Sequence, residues 1–246
     1  MLKTVILAAG KGTRMESDLP KVVHEALGKM MVSCVIDAAK DAGANDICLV
    51  VGHQAELVKD KVNAVYGDGV MAYAEQTEQL GTGHAVKCAK DFIGDEGDVL
   101  VLCGDTPLIQ SETLKLLVDT HRREGNGATV LSAVLADSTG YGRIIRNADG
   151  TFKKIVEQKD ATPEEQAVKE INSGMYVFQA AALSESLDML NNNNAQGEYY
   201  LTDTLQLIQE KVGKTVNAVV TENLDDIRGV NTKAQLEEAE DILRSR

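Results

Sequence analysis

The sequence predicts an α/β fold: a mixed, mainly parallel central sheet flanked by helices, with a small β-rich insertion in the second half. Three observations predict it. Through the first half, short apolar runs alternate with amphipathic stretches of helical period, the rhythm of parallel strands joined by crossover helices. From about Ala128 the rhythm changes to strands joined by turns. No Pro- or Ser-rich linker cuts the 246 residues, so one α/β domain with a mixed-sheet insertion is the simpler reading.

The elements follow in order. Residues 4–8 form the first strand and run into a glycine-bearing loop. Residues 31–43 predict a helix with Val32, Val35, Ile36 and Ala39 on one face and Gly43 near its stop. Strands are expected at 47–51, 70–74 and 99–103, and helices at 54–65 and 83–92. The 99–103 run is continuously apolar, as a strand covered on both faces should be. A helix over 111–124 takes Ser111 as its N-cap, with Leu114 where a capping box would place Glu. Strands are then expected over 128–135, 142–146, 151–157 and 171–178, with a short helix near 163–167. Helices over 180–190 and 202–212 flank a run of four asparagines, read as a loop. A strand at 215–220 and a Glu-rich helix at 232–244 complete the chain.

Composition narrows the function. At 43% hydrophobic and 26% charged, the chain can bury a large core. The formal net charge of −13 argues against nucleic-acid binding, whose affinity comes largely from Lys and Arg on phosphates. Any triphosphate held here must find its positive charge locally, from a few placed cations and from divalent metal. No apolar run approaches the ~20 residues of a membrane span, and the N-terminus lacks a signal-peptide layout, so no membrane partner and a cytoplasmic location are expected. Cys34, Cys48, Cys88 and Cys103 stand far apart in apolar stretches, so neither a zinc site nor a disulfide framework is indicated. His24, His53, His84 and His121 show no ligand spacing and are read as structural or surface residues.

The segment from Leu7 to Met15, Leu-Ala-Ala-Gly-Lys-Gly-Thr-Arg-Met, is the most informative. Gly10 and Gly12 allow close backbone approach, while Lys11 and Arg14 bring charge to a turn whose amides can face phosphate oxygens. It is neither a Walker loop nor the dinucleotide fingerprint, and alone such a Gly-x-Gly is more often an ordinary tight turn than a ligand site. Further segments join it: Asp18-Leu-Pro-Lys21, Ala74-Glu-Gln-Thr-Glu-Gln-Leu-Gly-Thr-Gly-His-Ala85, Leu102-Cys-Gly-Asp-Thr-Pro-Leu108, Gly140-Tyr-Gly-Arg143, Ile155-Val-Glu157, Glu170-Ile-Asn-Ser-Gly174, the stretch from Asn191 to Asp203, and Gly229-Val-Asn231.

Together, and in this order, they resemble the nucleotidyltransferases that make sugar nucleotides, most closely the N-terminal uridyltransferase (pyrophosphorylase) domains of the bacterial bifunctional N-acetylglucosamine-1-phosphate uridyltransferases. The resemblance implies a Rossmann-like nucleotidyltransferase fold and Mg2+-dependent transfer of UMP from UTP to N-acetylglucosamine-1-phosphate, releasing UDP-N-acetylglucosamine and pyrophosphate. It implies that Arg14 and Lys21 draw charge off the triphosphate. Leu7, Ala8, Ala9, Gly10, Gln76, Gly81, Thr82, Cys103 and Gly104 would bind the nucleotide. Gly142, Glu157, Asn172, Tyr200 and Thr202 would bind the sugar, and Asp105 and Asn231 the metal. Gln offers a donor and an acceptor to the imide edge of uracil. Glu157 is read as a hydroxyl-binding residue, since no second carboxylate is seen to accompany it and the reaction needs no strong base.

Two departures from the family pattern are Glu75, expected to face solvent, and Lys29-Met-Met31, expected to be a local loop change. The expected division is a transferase domain over 1–231 and a helix over 232–246 resembling the family's connecting helix. No hexapeptide repeat of the family's β-helix acetyltransferase domain occurs, so acetyl transfer is not expected, and oligomerisation stays open. The rival readings are uridyl transfer to glucose-1-phosphate or another hexose phosphate, and a sugar-nucleotide-binding regulatory subunit without chemistry. Retention of Arg14, Lys21, Asp105 and Asn231 together argues against the last.

Overall fold

A computed structural model describes residues 1–246. The first half contains β1 (Leu2–Ala8), β2 (Glu25–Ala26), β3 (Lys29–Met30), α1 (Met31–Asp41), β4 (Asp46–Val51), α2 (Ala55–Tyr66), β5 (Ala72–Glu75), α3 (Thr82–Cys88), α4 (Lys90–Ile93), β6 (Asp98–Cys103) and α5 (Ser111–Glu124). Then follow β7 (Ala128–Val134), β8 (Arg143–Arg146), β9 (Phe152–Val156), α6 (Pro163–Gln166), β10 (Glu170–Gln179), α7 (Ala180–Met189), α8 (Asp203–Leu207), β11 (Val216–Val220) and α9 (Lys233–Ser245).

The main sheet runs β11-β7-β10-β6-β1-β4-β5. Its β1/β4, β1/β6, β4/β5 and β7/β11 pairs are parallel, and β10 lies antiparallel between β6 and β7. The hairpin of β8 and β9 hangs from β10 and forms the expected β-rich insertion. After β5 the chain returns to the opposite side of β1 to make β6. Strand order therefore reverses beside β1, and open α/β sheets form their ligand crevice at the carboxyl ends of strands flanking such a reversal.

Both faces are covered, which explains the continuous apolar runs. Successive residues of a strand point to opposite faces. Thus Ile6, Leu49, Leu100 and Leu102 join the core containing Val35 and Ile36 of α1 and Leu114 and Leu117 of α5. Val5, Val50, Val99 and Val101 join the core containing Val86, Leu183 and Leu205. A third cluster, Met15, Met31, Leu108, Val230 and Ala239, with Leu236, Ile242 and Leu243 against it, packs α9 back onto the domain. No helix is long and apolar enough to cross a membrane. All four cysteines are free.

Four local expectations change. Residues 82–93 form two short helices meeting at Ala89. Ser111 is the first helical residue of α5: Leu114 N–H already donates to the Gln110 carbonyl at 3.3 Å, and the Ser111 hydroxyl donates to Glu112 Oε2 at 3.2 Å instead of capping. The helix expected over 202–212 is α-helical only through Leu207, then widens into a π turn, Ile208–Val212, ended by Gly213 at φ 72°. Lys29 and Met30 are not loop residues but pair with Ala26 and Glu25, and the fully buried Met31 starts α1.

Candidate active site

The exits of β1 and β6 are pressed together. Gly104 N–H donates to the Leu7 carbonyl at 2.9 Å, and a Cβ at Gly104 would lie 3.0 Å from that oxygen. Beyond β1, Gly12 adopts φ +61°, and a Cβ there would meet the Lys21 Cβ at 2.5 Å. Gly12 thus lets the loop lie directly against the Lys21 segment. Gly10 has no positive φ and no protein atom within 4 Å of the position a Cβ would take, so it faces open space at the cleft.

Lys21 is the hub of the charged groups. Its Nζ forms an ion pair with Asp105 Oδ2 and donates to Asn231 Oδ1 at 2.9 Å. Arg14 Nη2 donates to the same Asn231 oxygen at 2.8 Å. The loop carrying Asn231 is fixed at both ends: Val230 N–H donates to the Asp105 carbonyl at 2.8 Å, and Asn231 N–H to Gln235 Oε1 of α9 at 2.8 Å. A Cβ at Gly229 would fall 3.7–3.9 Å from the Asn231 amide and both Asp105 oxygens, so glycine keeps this corner open. One carboxylate and one amide oxygen beside that corner are hard donors of the kind Mg2+ accepts, with phosphate and water completing its shell. The two residues expected to hold metal therefore have the right chemistry for it.

Behind this corner lies a cleft of about 300 Å3, lined among others by Leu7, Ala8, Ala9, Gly10, Gln76, Gly81, Thr82 and Cys103. Gln76 is 3% exposed. Its Nε2 donates to the Gly81 carbonyl at 3.0 Å and lies 3.2 Å from His84 Nδ1, so its amide nitrogen is engaged within the chain. Gly81 has φ +110°, and a Cβ there would sit 2.6 Å from the Tyr199 carbonyl oxygen. Thr82 Oγ1 accepts from Leu201 N–H at 3.1 Å, and Gly83 N–H donates to the Tyr199 carbonyl at 2.8 Å. The start of α3 is thereby locked to the 199–201 segment. Burial, then the Asp105 charge, pushes the Cys103 thiol up to about 12, which leaves it a protonated wall residue.

The positions expected to bind the sugar lie near one another. Asn172 N–H donates to the Gly142 carbonyl at 2.9 Å, and Thr202 Oγ1 donates to Glu157 Oε1 at 3.0 Å. A Cβ at Gly142 would meet both Glu157 carboxylate oxygens at 3.4 Å. Between Asn172 and Tyr176 the register of β10 shifts through Gly174 at φ +82°. This bulge carries Gly174 against β6, where Cys103 Sγ donates to its carbonyl at 3.6 Å, and so joins β10 to the cleft wall. Asn172 Nδ2 donates to the Tyr176 hydroxyl at 2.8 Å. The Tyr200 hydroxyl donates to Asp160 Oδ2 at 3.2 Å and accepts from Gln196 Nε2 at 2.9 Å.

Glu157 does have carboxylate neighbours, contrary to the expectation that none accompanies it. Burial, and then the charges of Asp203, Asp160 and Glu198, raise its proton affinity against the lowering effect of the Thr202 hydroxyl. Residues 191–199 are an ordered turn: Asn194 Oδ1 accepts from the N–H groups of Gln196 and Glu198, each at 3.2 Å. Glu75 pairs with Lys59 at 2.5 Å on the surface, as its solvent-facing expectation requires. Gln79 and Glu198 also line the cleft, His84 braces Gln76 and Asp160 holds the Tyr200 hydroxyl, though none of them carried an expected site role. Gln79, His84 and Glu198 lay inside segments already singled out, which was the available signal; Asp160 carried none.

A mixed, mainly parallel sheet with its crevice at a strand-order reversal, and cations gathered beside a carboxylate there, fit a nucleotidyltransferase. The family model described as Nucleotidyl transferase matches residues 3–232, and the chain belongs to that family. Among curated relatives it is 51% identical to the Bifunctional protein GlmU of Clostridioides difficile (strain 630) over 99% of this chain, and 54% identical to that of Clostridium novyi (strain NT) over 98%. In both cases it spans about half, 52%, of the relative's length. A solved UDP-glucose pyrophosphorylase complexed with UDP-glucose shares the fold, with a TM-score of 0.79 over 99% of this chain and 98% of that one, at 20% identity.

Proposed function

We propose that this chain catalyses Mg2+-dependent transfer of UMP from UTP to N-acetyl-α-D-glucosamine 1-phosphate, giving UDP-N-acetylglucosamine and pyrophosphate for cell-wall precursor synthesis in the cytoplasm. The observation that carries the reading is the convergence of Arg14, Lys21, Asp105 and Asn231, from segments up to 217 residues apart, at the mouth of one cleft. Identity of about half the residues to GlmU proteins across the whole chain supports the choice of substrates.

In this reaction a phosphate oxygen of the sugar phosphate attacks the α-phosphorus of UTP, and the bond to pyrophosphate breaks. Catalysis is then mostly positioning and charge neutralisation. Arg14 and Lys21 meet the charge that collects on the departing pyrophosphate. They are preorganised for it, since Asn231 and Asp105 already hold them at the cleft mouth. Asp105 and Asn231 would hold Mg2+, which when bound neutralises phosphate charge as a Lewis acid. Gln76 and the backbone of residues 7–10 read the base, with Gly81, Thr82 and Gly104 shaping the walls around it. Glu157, Asn172 and Thr202 read sugar hydroxyls and the N-acetyl group, and Tyr200 holds the 194–200 turn against Asp160.

The test is pyrophosphate release from UTP with a panel of sugar phosphates, with the product identified by mass. Preferred turnover of N-acetylglucosamine-1-phosphate supports the reading. Preference for glucose-1-phosphate replaces the sugar, and binding of UDP-sugars without turnover leaves the regulatory-subunit reading.

A further inference from the structure

His84 has no part in the reaction as described, yet it sits at i+3 from Gly81 on the first turn of α3, against the residue that faces the base. Its Nδ1 lies 3.2 Å from Gln76 Nε2, and its Nε2 lies 3.9 Å from Cys88 Sγ one turn along the helix. An amide nitrogen only donates, so the contact with Gln76 is a hydrogen bond only when Nδ1 is bare. The ring proton then sits on Nε2, facing the thiol of Cys88. Both Nε2 hydrogens of Gln76 are thereby engaged, one by the Gly81 carbonyl at 3.0 Å and one by His84. With its nitrogen anchored twice, the amide cannot turn over, and Oε1 is the group left to meet a ligand in the cleft.

We propose that His84 is a specificity-positioning residue: it fixes the Gln76 amide so that an acceptor, and not a donor, faces the Watson–Crick edge of the base. This rests on the uridyltransferase reading above. Uracil carries its one imide donor at N3–H, which pairs with Oε1. Cytosine in the same pose presents a bare N3, so acceptor faces acceptor. A glutamine free to turn over would offer either group, and discrimination between the two pyrimidines would fall.

The test compares wild type, His84→Ala and His84→Asn by kcat/KM for UTP and CTP at saturating sugar phosphate, with KM for the sugar phosphate as an internal control. Asn restores an acceptor near the position of Nδ1. Loss of one such hydrogen bond predicts that His84→Ala lowers the UTP-to-CTP ratio by roughly tenfold, mainly through a raised KM for UTP, with KM for the sugar phosphate unchanged. His84→Asn should recover most of that ratio. An unchanged ratio in an active, folded His84→Ala overturns the proposal, as does equal loss for both nucleotides without rescue by Asn. Absence of uridyl transfer in wild type is a separate outcome, which removes the base assignment itself.

Discussion

Lys21 Nζ donates to Asn231 Oδ1 at 2.9 Å across 210 residues of sequence, bringing the cation after β1 to the amide that precedes α9. The same ammonium pairs with Asp105 at the end of β6. Three segments that are strangers in sequence therefore share one polar junction.

Lys21→Ala and Arg14→Ala should each lower kcat by about 10²–10³, the scale of removing one preorganised charge-stabilising group. Arg14 is exposed and Lys21 lies near the surface of the cleft, so the urea midpoint should move little. Steady-state kinetics beside denaturation curves check this. A stability loss that parallels the activity loss would assign these residues to the fold.

Gly12→Ala should cost about 1–3 kcal/mol, because a non-glycine residue is strained at φ +61° and the new methyl falls 2.5 Å from the Lys21 Cβ. Gly10→Ala has open space and no positive φ, and should be within about 0.5 kcal/mol of wild type. Chemical denaturation of the two variants side by side measures the contrast.

Glu157 gives a pH signature. Its proton affinity is raised, first by burial, so the folded chain holds the proton more tightly than the unfolded one. Stability from this group is full below the ordinary carboxylate value of 4.5 and is lost as pH rises through the raised folded value. Glu157→Gln removes that loss while keeping an acceptor for Thr202. Its melting temperature should exceed wild type by about 2–4 °C at pH 7.5, with the gain shrinking below pH 4.5, while turnover falls roughly tenfold or more. Thermal melts across pH with a rate assay read both effects, and a constant gain at every pH would contradict the burial argument.

Asp105→Asn keeps the shape but removes the charge beside Lys21. The magnesium concentration for half-maximal rate should rise at least about tenfold, since ligand charge sets the affinity of oxygen sites for hard cations. Titrating Mg2+ into chelator-treated protein measures it. An unchanged midpoint would place the metal elsewhere.

Much of this was legible in the sequence. The buried strands declared themselves because residues such as Val99, Leu100 and Val101 are apolar on both faces, and the loop after β1 stood out by its glycines and cations. Pairings that depend on distant chain were not legible. Nothing local in Ser111 shows that Gln110 has already taken the first turn's hydrogen bond, and although Gly174 within a strand run signals a bulge, nothing local says that it meets Cys103. His84 looked like a spare histidine because its partner, Gln76, lies across a loop whose closure depends on Gly81. Glu157 looked solitary because Asp203, at the start of α8, reaches it only once the chain is folded, although Asp160 stands just three residues on.

The most direct measurement is the initial rate of pyrophosphate release from UTP and N-acetylglucosamine-1-phosphate, taken with Mg2+, after chelation, and after Mg2+ is restored. Rapid release with metal, near-complete loss on chelation, full recovery on restoration, and slower release with glucose-1-phosphate are expected. No release with metal present, from protein shown to be folded, would contradict it.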